Sequence, residues 1–212
     1  IVVGTGQALR LGRAADVDAI LVHSRAAEDQ FLEAGFGTHR REIMYNDFVF
    51  IGPSDDPAGI RKARSVADVL LGIASAAVPF VSRGDDSGTH KKEQELWSEA
   101  GINVAGDWYR AVGAGMGATL NVASGMNAYV FSDRASWLNF GNKGTLELLY
   151  SGDVSLFNQY AYIPVSPARW AHVQKNLTSA LEEWLTGEKA AELINGYTIN
   201  GGPLFTFNAT RP

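Results

Sequence analysis

The residues best suited to chemistry in this chain stand together in Arg83-Gly84-Asp85-Asp86-Ser87-Gly88-Thr89-His90, just after the apolar run Pro79-Phe80-Val81. An arginine four residues ahead of Ser-Gly-Thr suits a tetrahedral oxyanion, because its guanidinium is permanently charged and presents a planar fork of donors. Ser87 is placed to cap a helix, Gly88 lets the backbone come close to a ligand, and Ser87 and Thr89 add hydroxyl donors. The first amides of a helix lack intrahelical acceptors, and the positive end of its dipole lies behind them, so an anion is favoured there. The plain alternative is a capped helix whose Arg83 is ion-paired with Asp85 or Asp86.

Two further strand-to-helix turns have the same logic. Val3-Gly4-Thr5-Gly6-Gln7 sets two glycines around a hydroxyl, making Thr5 and Gly6 candidate contacts. It lacks the third glycine of a dinucleotide fingerprint, and the next strand ends on Val22-His23 rather than on an acid. The third turn, Val22-His23-Ser24-Arg25, contributes His23. Tyr160, like Tyr45 and Tyr129, falls near a strand end where a phenol can face a cleft.

The histidines at 23, 39, 90 and 172 show no metal-ligand spacing. Asp85 and Asp86 could hold a cation through oxygen, although adjacent loop carboxylates are more often simply solvated. Ser87 and His90 can be drawn as a nucleophile and base. Ser-Gly-Thr is not the Gly-x-Ser-x-Gly elbow, however, so no enzyme is expected.

These turns need strands and helices to hold them. Short apolar runs alternate with helical patterns, which predicts an α/β protein. Strands are expected at 1–3, 18–22, 42–52, 79–82, 128–132 and 160–164. Helices are expected at 7–13, 24–33, 65–76, 87–100, 108–112, 119–126, 167–184 and 188–193. Within 65–76, Val66, Val69, Leu70 and Ile73 share one face. A strand at the very start predicts that a further N-terminal piece precedes Ile1.

A hydrophobic fraction of 46% allows a sizeable core, and a net charge of −5 argues against a nucleic-acid surface. The absence of cysteine excludes disulfides, thiolate metal sites and cysteine nucleophiles. No run approaches the roughly 18 apolar residues of a membrane span.

Taken in order, several motifs resemble one family. They are Val3-Gly4-Thr5-Gly6-Gln7-Ala8-Leu9, Asp18-Ala19-Ile20-Leu21-Val22-His23, Met44-Tyr45-Asn46-Asp47-Phe48-Val49, Asp56-Pro57-Ala58-Gly59-Ile60, the Phe80–His90 stretch, Gly115-Met116-Gly117-Ala118-Thr119-Leu120 and Ala128-Tyr129-Val130-Phe131-Ser132-Asp133-Arg134. Together they look like the tungstate-binding TupA-type substrate-binding proteins of ABC importers.

The resemblance implies a type II periplasmic-binding-protein fold with two α/β lobes and a hinge. Lobe 1 would take 1–52 and 165–212, and lobe 2 would take 53–164. It further implies passive binding of tungstate or molybdate, periplasmic or extracellular, for delivery to a membrane-bound permease. The alternative ligand is phosphate or sulfate. No cofactor, no nucleic acid and a monomer are expected.

The oxyanion contacts carried over are Arg83, Ser87, Gly88 and Thr89, facing Thr5, Gly6, His23 and Tyr160. Family members begin with a strand, a Thr-Thr-Thr-Ser-type turn and a helix that are absent here. Gly125 also stands where the family pattern leads one to expect a glutamate.

Overall fold

The computed structural model describes residues 1–199 and 201–210. In chain order the elements are α1 (Thr5–Ala14), β1 (Ala19–Val22), α2 (Arg25–Glu33), β2 (Arg41–Pro53), α3 (Val66–Ala76), β3 (Phe80–Ser82) and α4 (Gly88–Glu99). They continue with β4 (Tyr109–Ala111), α5 (Met116–Met126), β5 (Tyr129–Asp133), α6 (Arg134–Asn139), β6 (Leu146–Tyr150), β7 (Phe157–Pro164), α7 (Lys175–Leu185) and α8 (Glu188–Gly196). Three two-residue strands close the list, β8 (Thr198–Ile199), β9 (Gly202–Pro203) and β10 (Thr206–Phe207).

The chain divides into two compact units, Ile1–Asn46 with Asn158–Pro212, and Asp47–Phe157. The divisions fall at 46/47 and 157/158 rather than at the expected 52/53 and 164/165. Pairing explains the difference. Phe48 to Ile51 of β2 pair with β5, and Ala161 to Pro164 of β7 pair with β1.

In the first unit β1 and β7 run antiparallel, from Ala19 opposite Pro164 to Val22 opposite Ala161. Leu9, Ile20, Val22, Phe31, Ile163 and Val165 form its core. In the second unit β2 pairs antiparallel with β5 and β6, while β3 lies parallel to both β5 and β4. Side chains alternate across a strand, so consecutive residues fill different cores. Phe48, Phe50, Phe80, Tyr129 and Phe131 enter one cluster, and Val49, Ile51, Val81 and Val130 enter the other. A strand buried on both faces reads as a continuous apolar run, which is why β2, β3 and β5 stand out in the sequence.

Helix α3 buries the expected face of Val66, Val69, Leu70 and Ile73, with Ser65 accepting from the Asp68 N–H as its cap. Three expectations fail. Residues 1–3 lie outside any strand and are largely exposed; they have β-forming side chains but no paired neighbour among the described residues. The stretch 108–112 contains the strand β4, not a helix, because Tyr109 stacks on Phe80 at 5.8 Å and the Phe80 N–H bonds to the Trp108 carbonyl. The helix expected from 167 starts only at Lys175, since 166–174 is held in turns. There the Arg169 and Trp170 amides both bond to the Ser166 carbonyl, and Asp18 accepts the Gln174 N–H.

Candidate functional site

In the second unit, β3 delivers Arg83 to a turn that opens α4. The buried face of α4 carries Thr89, Glu93, Leu96 and Trp97, so the helix is pinned to the sheet and its first residues are fixed in space. Ser87 caps it, accepting from the His90 N–H at 3.2 Å, and Asp85 accepts the Ser87 N–H at 3.2 Å. The Gly88 and Thr89 amides have no intrahelical acceptor and remain as donors.

Arg83 is largely buried and ion-paired with Asp85, while its Nε is buried without a partner among the described residues. Asp86 is paired with Lys91. Burial acts against the Asp85 carboxylate, but hydrogen bonds from Ser87 and the Arg83 guanidinium outweigh it and hold the carboxyl below its usual range. Burial pushes His90 below the ordinary imidazole range, and its Nδ1 accepts the Asp86 N–H at 3.2 Å. The Ser87 hydroxyl therefore serves as a helix cap, and the His90 ring nitrogen faces a backbone amide rather than that hydroxyl.

Gly84 has no substitute in this turn. Its φ is +62°, and an added Cβ would come within 2.7 Å of the Ala111 Cβ. Gly84→Ala is expected to cost about 1–3 kcal/mol through backbone strain and displacement of β4. Gly113→Ala, at φ +66° with nothing within 4 Å, carries the strain without the clash and is expected to cost less. Urea unfolding of the two variants side by side checks this.

A second helix start adjoins the turn. The Ala114 N–H donates to the Arg83 carbonyl at 3.2 Å, and α5 follows behind Gly115, which offers no side-chain cap. The glycines of the Gly115–Leu120 motif are plain in the sequence. Their position beside Arg83 is not, because β3 and β4 meet only through sheet pairing.

In the first unit Thr5 opens α1 behind Gly4, which has no side-chain cap. The Thr5 hydroxyl is buried without a hydrogen-bond partner among the described residues. His23 follows β1 and stacks on Tyr160 at 4.5 Å, and Tyr160 meets Phe205 edge-on. The Asn158 amide donates to Asn46 at 2.6 Å, which turns its oxygen toward His23 Nδ1 at 3.0 Å. Thr5, His23 and Tyr160 line one pocket of about 440 Å³ together with Val3, Ile20 and Leu21. Gly6 lies buried in the first turn of α1.

The structure thus gathers Arg83, Ser87, Gly88 and Thr89 at one turn of the second unit. It gathers Thr5, His23 and Tyr160 at one pocket of the first. Among the described residues no group of three or more His, Asp or Glu is placed to hold a metal ion. No described helix is long and apolar enough to cross a membrane.

Two α/β units with donor-rich helix starts are the plan of a substrate-binding protein. Residues 1–189 match the family model of the PBP superfamily domain. The tungstate-binding protein TupA of Peptoclostridium acidaminophilum is 43% identical over 215 residues, covering 100% of this chain and 75% of its own. The solved TupA of Desulfovibrio alaskensis G20 is 43% identical with a TM-score of 0.83, covering 99% of this chain and 86% of that one. A Haloferax volcanii protein named after anion binding for an ABC transporter is 47% identical over 211 residues, covering 97% of this chain. The chain spans 62% of that relative's length. The chain belongs to the PBP superfamily and, within it, to the TupA-type substrate-binding proteins.

Proposed function

We propose that this chain binds tungstate, or the closely similar molybdate, outside the cytoplasm and presents it to an ABC permease. It does so as a monomer and without covalent chemistry. The observation that carries the reading is the α4 turn: first-turn amides beside a buried arginine whose Nε has no partner among the described residues. Such a site replaces the hydration shell of a dianion with charge-assisted and backbone hydrogen bonds. In the first unit the candidate oxyanion contacts are Thr5, Gly6, His23 and Tyr160. The names of the TupA relatives support the same ligand class.

The alternative is phosphate or sulfate. Phosphate near neutral pH keeps a proton and needs an acceptor, whereas tungstate is a fully deprotonated dianion. The three carboxylates that could accept that proton are already engaged. Asp47 accepts from Arg134 Nε and Nη2, each at 2.6 Å, Asp85 is paired with Arg83, and Asp86 is paired with Lys91. Carboxylates already engaged by cations favour a ligand with no proton to give, such as tungstate. Competition calorimetry with tungstate, molybdate, sulfate and phosphate tests this. Tungstate and molybdate should displace the other two, and tight phosphate binding without tungstate binding would overturn the reading.

A further inference from the structure

One buried carboxyl has no part in the turn's own hydrogen bonds. Glu93 is 2% exposed and lies little more than one turn into α4. Its Oε1 accepts from the Tyr109 hydroxyl at 2.7 Å and from the Trp97 indole at 3.3 Å, and Tyr109 in turn accepts from the Gln94 amide at 2.7 Å. The Ser82 hydroxyl, fully buried at the end of β3, lies beside the same carboxyl but outside hydrogen-bonding geometry. Glu93 therefore joins α4 to β4 and lies beside the residue immediately before Arg83.

The groups facing Glu93 are Ser82 from β3, Tyr109 from β4, and Gln94 and Trp97 from α4 itself, all neutral at neutral pH. Arg83, Asp85, Asp86 and Lys91, with the titratable His90, lie in the turn and the first turn of α4, and Lys92 and Glu95 flank Glu93 on α4, paired with each other. No cation is paired with Glu93 among the described residues. Burial pushes its carboxyl up to about 7, even against the hydrogen bonds that favour its charged form. From Gly88 to Glu93 the helix rises about 7.5 Å, at roughly 1.5 Å per residue. Buried charges at that separation are poorly screened. A dianion on the α4 amides and a carboxylate at Glu93 oppose each other.

We propose that Glu93 is a proton-coupled positioning residue of the oxyanion site, protonated when a dianion occupies the α4 turn and released toward its charged form when the turn empties. This rests on the oxyanion reading above. In its protonated state Glu93 still accepts from Tyr109 and Trp97, so α4 stays anchored while the opposing charge is removed. Binding then takes up as much as one proton above neutral pH, and affinity falls by up to about tenfold per pH unit there.

Isothermal calorimetry of the full chain with sodium tungstate tests the coupling. It is run from about pH 6 to pH 8.5 in buffers of differing protonation enthalpy. The wild type is expected to take up protons above neutral pH. Glu93→Gln is expected to lose that uptake, to bind with nearly flat pH dependence, and to bind more tightly than wild type near pH 8. A merely structural role would not produce a gain in affinity.

Equal uptake in Glu93→Gln and wild type overturns the proposal, as does uptake lost instead in His90→Gln. Tungstate binding without proton uptake overturns this inference alone. Absence of tungstate binding at every pH overturns the oxyanion reading with it. If Glu93→Gln fails to fold, the infrared difference spectrum of tungstate-bound minus free wild type decides. A new protonated-carboxyl stretch supports the proposal, and its absence overturns it.

Discussion

Arg83→Lys is expected to weaken tungstate binding by about 1–3 kcal/mol, roughly 5- to 150-fold, while leaving the fold intact. Lysine keeps the positive charge but loses the planar fork. In the native turn one end of the guanidinium pairs with Asp85, and Nε is buried without a partner among the described residues. An ammonium can satisfy Asp85 or an oxyanion as a point charge, but it cannot reproduce two fixed donors at once. Calorimetry reads the affinity, and a urea midpoint close to wild type separates lost binding from lost structure. Unchanged affinity would mean that Arg83 serves only the turn.

The largest effect on stability is expected from Arg40→Ala in the first unit. Glu28 is fully buried on α2 and accepts from Arg40 Nε at 2.6 Å and from the Ser24 N–H at 2.7 Å. Burial pushes its carboxyl above the usual range even with Arg40 beside it. Removing one partner of a buried pair leaves an uncompensated charge and costs about 3–5 kcal/mol.

The sign of the pH dependence follows from the raised Glu28 carboxyl. Without Arg40 it rises further, so the folded variant holds a proton that the unfolded chain releases. The loss is therefore greatest above the raised folded pKa. It shrinks as pH falls toward the ordinary carboxylate range. Urea titrations at about pH 7 and about pH 5 measure it. A deficit that did not narrow at the lower pH would refute the buried-charge explanation.

The parts of the molecule that could be read in advance are those specified locally. Ser87, Gly88 and the preceding arginine announce a strand end, a helix cap and a close backbone approach within a few residues. The same holds for Ser65 and the apolar face of α3. What could not be read depends on partners far along the chain. Tyr109 sits in a pattern that passes for a helix, and only its stacking on Phe80 makes it a strand.

His23 follows the end of β1, and Tyr160 lies within β7. Their contact arises from the β1–β7 register, in which Val22 stands opposite Ala161. Nothing in the local pattern of α4 marks Glu93 as buried. Its burial follows from β4 running beside β3, which local pattern does not encode.

The two crossings of the chain have a consequence for how the protein acquires its structure. The second unit is one unbroken stretch, Asp47–Phe157, whereas the first is assembled from residues on either side of it. During synthesis the second unit can complete β2, β3, β4, β5 and β6 as soon as its own residues have emerged. The first cannot pair β1 with β7 until Ala161 to Pro164 are available, and it must then close the chain around the whole insertion. Contacts between distant residues form slowly. The Arg83 turn should therefore be in place while Thr5, His23 and Tyr160 are still unassembled, and a nascent chain halted between the two crossings would hold the α4 turn but not the first unit's pocket.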